Sequence, residues 1–420
     1  MKKLFALMLA AAMLLSLCSA FAEEEKVTLT MWCIATEADA NRPAYEAAIK
    51  AFEEAHPNIH IEWEAFENQS YKTKIKTAMA DPSTLPDIFF TWAGAFLGDF
   101  AKAGNVYCLN DAYQPFAAEL PEVMLGNSSY DADADGVKEH YGVPLTMNIV
   151  ALFCNMDLLA KAGWDTVPQT YDELIECCND LVAAGITPFG CSGSETWCVT
   201  EYLEPIMEKY IGYEALNAIF AGEATWNDPE IATAVDTFQE MINAGYFDPA
   251  GVSLGNDQVK ANFINGDYAF YQNGSWNCGE INDGAYNFQV ALFPVMNAER
   301  ATYAQVIGGP SDTLAVSATS KNPELAAQAA FELGRDICHY GFLAGSGLPA
   351  WNQDEETKAQ VKPLVNDVAA IVAAADGMVL FGDTAMSADP ANIYLSFVAQ
   401  VYGGEIDGAG FVEGLTNALQ

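Results

Sequence analysis

Val27-Thr28-Leu29-Thr30-Met31-Trp32 reads as a β-strand, and Tyr45, Ala48, Ile49 and Phe52 then recur at helical spacing, with Asn41 near the cap and Pro43 in the first turn. Ile59 to Trp63 is the next strand. Tyr71, Ile75 and Met79 mark a second helix, Asp87 to Thr91 a third strand, and Phe96 to Ala103 a helix stopped by Gly104. This order predicts a mainly parallel sheet covered by helices on both faces, because parallel neighbours need a crossover long enough to hold a helix. Later helices are read at Tyr171 to Ala184, ended by Gly185, and at Asn322 to Leu333, with Asn322 as cap and Pro323 first. No internal repeat or low-complexity linker interrupts the texture, so the 420 residues read as interleaved α/β lobes rather than separate beads.

Composition narrows the function. Hydrophobic residues make up 51% of the chain and charged ones 18%, which excludes disorder. Eighteen Lys and Arg against 57 Asp and Glu give a formal charge of -39, so nucleic acid and anionic lipid are repelled over most of the surface. Lys2 and Lys3, the apolar run Leu4 to Leu17 and the site Ala20-Phe21-Ala22 read as a secretory signal over residues 1–22. Its removal, with two lysines and no acid, leaves a formal charge of -41. Leu15-Ser16-Leu17-Cys18 offers a competing lipidation box, in which case Cys18 tethers the chain to a membrane. No later apolar stretch reaches the roughly 20 residues of a membrane span. The expectation is an exported chain, extracellular or periplasmic.

Ligands of open α/β sheets bind beyond the carboxyl ends of strands, and in this chain tryptophans recur there. Trp32 ends the first strand, Trp92 follows the third, and Trp276 follows the apolar stretch Tyr268 to Tyr271. Trp197 lies in the polar segment from Ser192, where no hydrophobic period accounts for it. An indole face suits the C–H face of a sugar ring as well as it suits a cation. Trp63, Trp164 and Trp226 are assigned to core or loop packing.

These residues carry a resemblance. Leu29-Thr30-Met31-Trp32, Ala47 to Glu54 with His56-Pro57-Asn58-Ile59, Leu85 to Phe90 with Trp92, and Tyr141-Gly142-Val143-Pro144 are similar in order and spacing to extracellular solute-binding proteins of family 1, the sugar-capturing subunits of ABC importers. Ala184 to Pro188, Asn273-Gly274-Ser275-Trp276 and Lys321 to Glu324 extend the resemblance along the chain. Cys154, before Asn155, stands where the family usually has a tyrosine. The resemblance implies a type II periplasmic-binding-protein fold, two α/β lobes joined by a hinge, with an N-terminal lobe of residues 23–147 and 298–341 and a C-terminal lobe of residues 148–297 and 342–420. Crossings are expected near Asn148, near Pro294 to Ala298 and near Tyr340 to Gly345. It also implies a monomer that needs no cofactor, binds a carbohydrate and delivers it to permease subunits. By analogy with maltodextrin-binding members, ligand contacts map to Thr36, Glu37, Trp92, Asn148, Glu195, Trp197 and Trp276, with Gly309 and Trp351 of second rank.

Three competing readings stay open. Glu37 and Glu195 form a candidate acid–base pair for a secreted glycoside hydrolase, against which stands the resemblance to a family with no catalytic activity. An acidic surface with an aromatic box also suits a polyamine. Asp131, Asp133 and Asp135 begin like a calcium loop, but the twelfth position is Gly142 instead of a bidentate glutamate, and a solvated acidic turn is the favoured reading. Ten cysteines fall to nine without Cys18, an odd number that does not read as a disulfide framework. Cys191 and Cys198 are placed to close a small loop, and of Cys177 and Cys178 one is expected to face the core.

Overall fold

The computed structural model describes residues 26–419. The expected signal segment, with its expected cleavage site and Cys18, lies outside the described residues. The first sheet is built as its sequence suggests: strand Val27–Cys33 lies parallel between Ile59–Ala65 and Ile88–Trp92. Helices Arg42–Ala55 and Asn68–Ala80 make the crossovers, burying Tyr45, Ala48, Ile49 and Phe52 from one and Tyr71, Ile75 and Met79 from the other. Asn41 sits at the first cap without a side-chain bond, whereas Glu67 caps the second helix by accepting the N–H groups of Gln69 and Ser70. Two distant segments complete the sheet, Asp312–Val316 antiparallel to Ile88–Trp92 and then Val143–Pro144.

The second sheet is organised differently. Its spine is the ten-residue strand Thr146–Asn155, buried along its whole length. Tyr268–Gly274, Phe288–Ala291, Gln305–Gly309 and Leu348–Pro349 all pair with it antiparallel, and only the flanking Thr187–Phe189 and Gly377–Val379 join in parallel. The parallel pattern is thus a property of the first sheet. A spine buried on both faces reads as a continuous apolar run, which is why its partners were not separable by alternation.

Sheet membership corrects two expectations. Gln305–Gly309 bonds to Asn148, Ile149 and Gly377–Val379, so the chain returns to the first sheet at Pro310 and Ser311, not near Pro294 to Ala298. Ala350 and Trp351 belong to the first core, although the surrounding residues from 342 serve the second. The helix expected to stop at Leu333 runs as Pro323–Ala344, with Ala326, Ala330, Phe331 and Ile337 in the first core and Phe342 in the second lobe's core. Its end at Gly345, with φ +82, marks the third crossing.

At the crossings the three chain segments meet in one knot. The Asn148 amide donates to Thr146 Oγ1 at 2.9 Å and to Asp312 Oδ2 at 3.4 Å, while its Oδ1 accepts the Ser275 hydroxyl at 2.9 Å. Gly347 passes so close, with φ +136, that a Cβ there would stand 2.6 Å from Asn148 Oδ1. All nine described cysteines are free. Cys177 and Cys178 are both buried, because with Leu174 and Leu181 they form the single core-facing stripe of helix Tyr171–Ala183, and Cys191 Sγ faces the Cys198 carbonyl rather than its sulfur. Among the described residues no helix is long and apolar enough to cross a membrane.

Candidate ligand-binding cleft

Between the two sheets lies a cavity of about 240 Å³. The loop after the first strand supplies Ile34, Thr36 and Asp39, and the third strand ends in Trp92. The start of helix Trp197–Ile211 brings Glu195, Trp197, Thr200 and Glu201, and the turn after Tyr268–Gly274 brings Trp276. Phe381 and Asp383 enter from the short helical segment Gly382–Ala385 and the residue before it. Both lobes therefore build the walls.

Three aromatic rings form one side. Trp276 stands 6.0 Å from Trp197 and 6.0 Å from Phe381, both tilted. The Trp276 ring folds back over Gly274, where any Cβ would fall 2.1 Å from it, so the glycine sets the ring's position. Glu195 is held in place: Oε1 accepts the Asn256 N–H at 2.7 Å and Oε2 accepts the Trp197 indole N–H at 3.2 Å. The carboxylate satisfies the indole N–H and leaves the ring face as the contact it offers.

Seven carboxylates and two lysines line the cavity. Most of the acids already have donors. Asp312 accepts from Thr146 and Asn148, Asp383 pairs with Lys72 at 2.8 Å, and Lys260 pairs with Asp257 at 3.4 Å and with Glu280. Burial pushes the Asp39 carboxyl up to about 6, with Asp312 and Asp257 nearby adding to it. Glu201 is 3% exposed, and its Oε2 has no partner among the described residues. Burial and the neighbouring Glu204 and Asp383 raise it well above the usual carboxylate range, so it faces the cavity as a proton-holding donor or acceptor.

The expected contacts divide. Thr36, Trp92, Glu195, Trp197 and Trp276 are brought together on the cavity wall. Glu37 is not: its side chain is 88% exposed, paired to Arg42 at 3.0 Å and off the cavity that Glu195 lines, so the expected acid–base pair is not assembled there. Asn148 is 1% exposed and committed to the hinge knot behind the cavity. Gly309 is buried in its strand, paired with Asn148. Trp351 is 2% exposed, donates its indole N–H to the Pro144 carbonyl and packs edge-on to Phe116 and Phe331, so it is core and not a contact. Trp226 is core, as assigned. Trp32 is covered by the Lys74 ammonium, 3.8 Å from its ring, and lies off the cavity. The oxygens of Asp131, Asp133 and Asp135 gather within 4.8 Å, but Asp131 and Asp135 accept N–H groups of their own turn.

Asp39, Glu201, Asn256, Asp312, Phe381 and Asp383 were not anticipated. Glu201 had a signal, since it stands four residues after Trp197 on the same helical face. Asp39 stands three residues after Thr36 in the same loop, whereas Asn256, Asp312, Phe381 and Asp383 come from segments with no local period that points to the site.

The family of bacterial extracellular solute-binding proteins matches residues 35–333, most of the chain. The chain belongs to this family. Its members are binding proteins and not enzymes, and they act outside the cytoplasm. Among relatives, this solute-binding protein is 25% identical over 259 residues to an uncharacterised ABC transporter extracellular-binding protein of Pyrococcus horikoshii, covering 61% of this chain and 59% of that one. It is 22% identical over 357 residues to the multiple sugar-binding protein of Streptococcus mutans, covering 81% and 80%. The chain thus spans under two thirds of the first relative's length. Among solved structures, one described for xylan utilisation by Caldanaerobius polysaccharolyticus superposes with a TM-score of 0.87 at 28% identity, covering 94% of this chain and all of that one. A chitin oligosaccharide binding protein gives 0.84 at 23% identity, covering 94% and 98%. These likenesses establish the two-lobed α/β fold.

Proposed function

We propose that this protein captures a carbohydrate in the interlobe cleft and hands it to the permease subunits of an ABC importer. The observation that carries the reading is the wall of Trp197, Trp276 and Phe381 set against Thr36, Asn256 and carboxyls that are already oriented by internal donors. Flat rings take the C–H faces of a sugar, and fixed acceptors take its hydroxyls. A relative and a structural neighbour described as binding sugars support the same reading. The contacts proposed are Thr36, Trp92, Glu195, Trp197 and Trp276, joined by Asp39 and Glu201. The protein works as a monomer, exported and either free or tethered through Cys18.

The excess of carboxylates gives a cationic ligand such as a polyamine as the second reading. Asp312, Asp383 and Glu195 are engaged with internal donors, which leaves little unpaired negative charge for it. Calorimetry with a panel of mono- and oligosaccharides alongside spermidine separates the two. Binding of a sugar without release of reducing ends is the expected result; binding of spermidine with silence across the sugars overturns it.

A further inference from the structure

Beside the cavity lies a second hollow of about 370 Å³, also formed between the lobes. The two share Lys72, Trp92, Asp383 and Thr384 on their walls. The second is a groove between two helices. Asn68–Ala80 lines it with Gln69, Thr73, Lys76 and Thr77, the two threonine hydroxyls donating to the Gln69 and Thr73 carbonyls of their own helix and keeping their oxygens as acceptors, and Ala388–Tyr402 adds the Asn392 amide, while Phe96, 5% exposed, lies edge-on to Trp92. Hydroxyl and amide groups beside aromatic rings thus occur in both hollows.

Across that shared wall runs an ion pair. Lys72 Nζ, from the first lobe, meets Asp383 Oδ2, from the second, at 2.8 Å, with side-chain exposures of 21% and 12%. The same ammonium stands over the Trp92 ring, 4.9 Å from its centroid, and that residue, packed edge-on by Tyr71, Phe90 and Phe96, is 9% exposed. Lys72 therefore covers the ring that a sugar would stack on. Its stem is unbranched and flexible, so the head can swing away, and partly exposed pairs are weakly held. The inner cavity is smaller than the roughly 300–1,000 Å³ typical of enclosed ligand sites, so a longer chain needs further room.

Resting on the carbohydrate reading, we propose that the Lys72–Asp383 pair is a removable partition between two sugar subsites. A short ligand fills the inner cavity with the pair intact. A longer oligosaccharide displaces Lys72, lies across Trp92 and extends into the groove. The pair thus sets the length preference of the receptor.

The test is calorimetry of the full chain, wild type, Lys72→Met and Asp383→Asn, against β-1,4-linked xylose, β-1,4-linked glucose and α-1,4-linked glucose series from monomer to pentamer, with melting temperatures as the folding control. In both variants the affinity ratio of long to short members should rise about threefold to tenfold, the scale of a partly exposed ion pair, and the length at which affinity levels off should move up. An unchanged length profile in both variants overturns the partition while leaving carbohydrate binding intact. A uniform shift at every length also overturns it, since that is the behaviour of a simple clasp between lobes. Silence of all three proteins to every series overturns the carbohydrate reading and the partition with it.

Discussion

Trp276 and Trp351 show how differently one residue type is used here. Trp276 rests against Trp197 and Phe381 on the cavity wall, whereas Trp351 is sealed between Phe116 and Phe331 with its N–H bonded to Pro144. Trp276→Ala should weaken sugar binding by about 1–3 kcal/mol through lost stacking and buried area, with a small change in melting temperature. Trp351→Ala should cost about 3–5 kcal/mol of stability as a core truncation. Paired calorimetric titration and chemical denaturation check both, and the proposal for Trp276 fails if its replacement unfolds the protein while the remaining folded fraction binds normally. Lys209 gives a third residue-scale expectation. It is 1% exposed, pairs with Glu208 at 2.9 Å and donates to the carbonyls of Thr302, Tyr303 and Gln305. Lys209→Met leaves a buried acid and three carbonyls without their cation, and denaturant unfolding should show a loss of about 3–5 kcal/mol.

At the scale of elements, helix Trp197–Ile211 joins the site to the core. Trp197 and Glu201 face the cavity, Glu204 accepts the Gly382 N–H and the Tyr394 hydroxyl, and Glu208 meets Lys209. Burial, with Asp383 adding, raises the Glu204 carboxyl from 4.5 to about 8. The native state therefore binds this proton more tightly than the unfolded chain does. Stability from the group is fully present below pH 4.5 and falls as pH rises toward 8. Thermal melts from pH 5 to 8 should show wild type losing more stability than Glu204→Gln across that window; equal slopes would contradict the assignment. The elements also show where sequence patterns are readable. The capping box of Thr170 and Glu173 and the period of Tyr45, Ala48, Ile49 and Phe52 are local signals, and both produced the expected helices. The continuation of Pro323–Ala344 beyond Leu333 depends on Phe342 finding the second lobe's core, which no local pattern announces.

On the scale of the whole molecule, the knot of Asn148, Asp312 and Ser275 ties the crossings together, and Gly347 passes against it. Gly347→Ala would force a Cβ toward Asn148 Oδ1, so it should lower the melting temperature and perturb ligand affinity together. A ligand that closes the lobes, at a hundredfold excess over its Kd, should stabilise the fold by about 2.7 kcal/mol, readable as a thermal shift. The strand–helix alternation from Val27 to Trp92, the acidic charge and the strand-end positions of Trp92 and Trp276 were determined by the sequence itself, because periodicity, composition and turn chemistry act over a few residues. Only the tertiary structure decided that Asp39, Glu201, Asn256 and Phe381 line one cavity, that Trp351 is core, and that Lys72 and Asp383, 311 residues apart, close on each other. The physical reason is that the cleft forms where two lobes made of interleaved segments face each other. Which residues meet there depends on how the crossings at Asn148, Pro310 and Gly345 orient the lobes, and that orientation has no local trace in the chain.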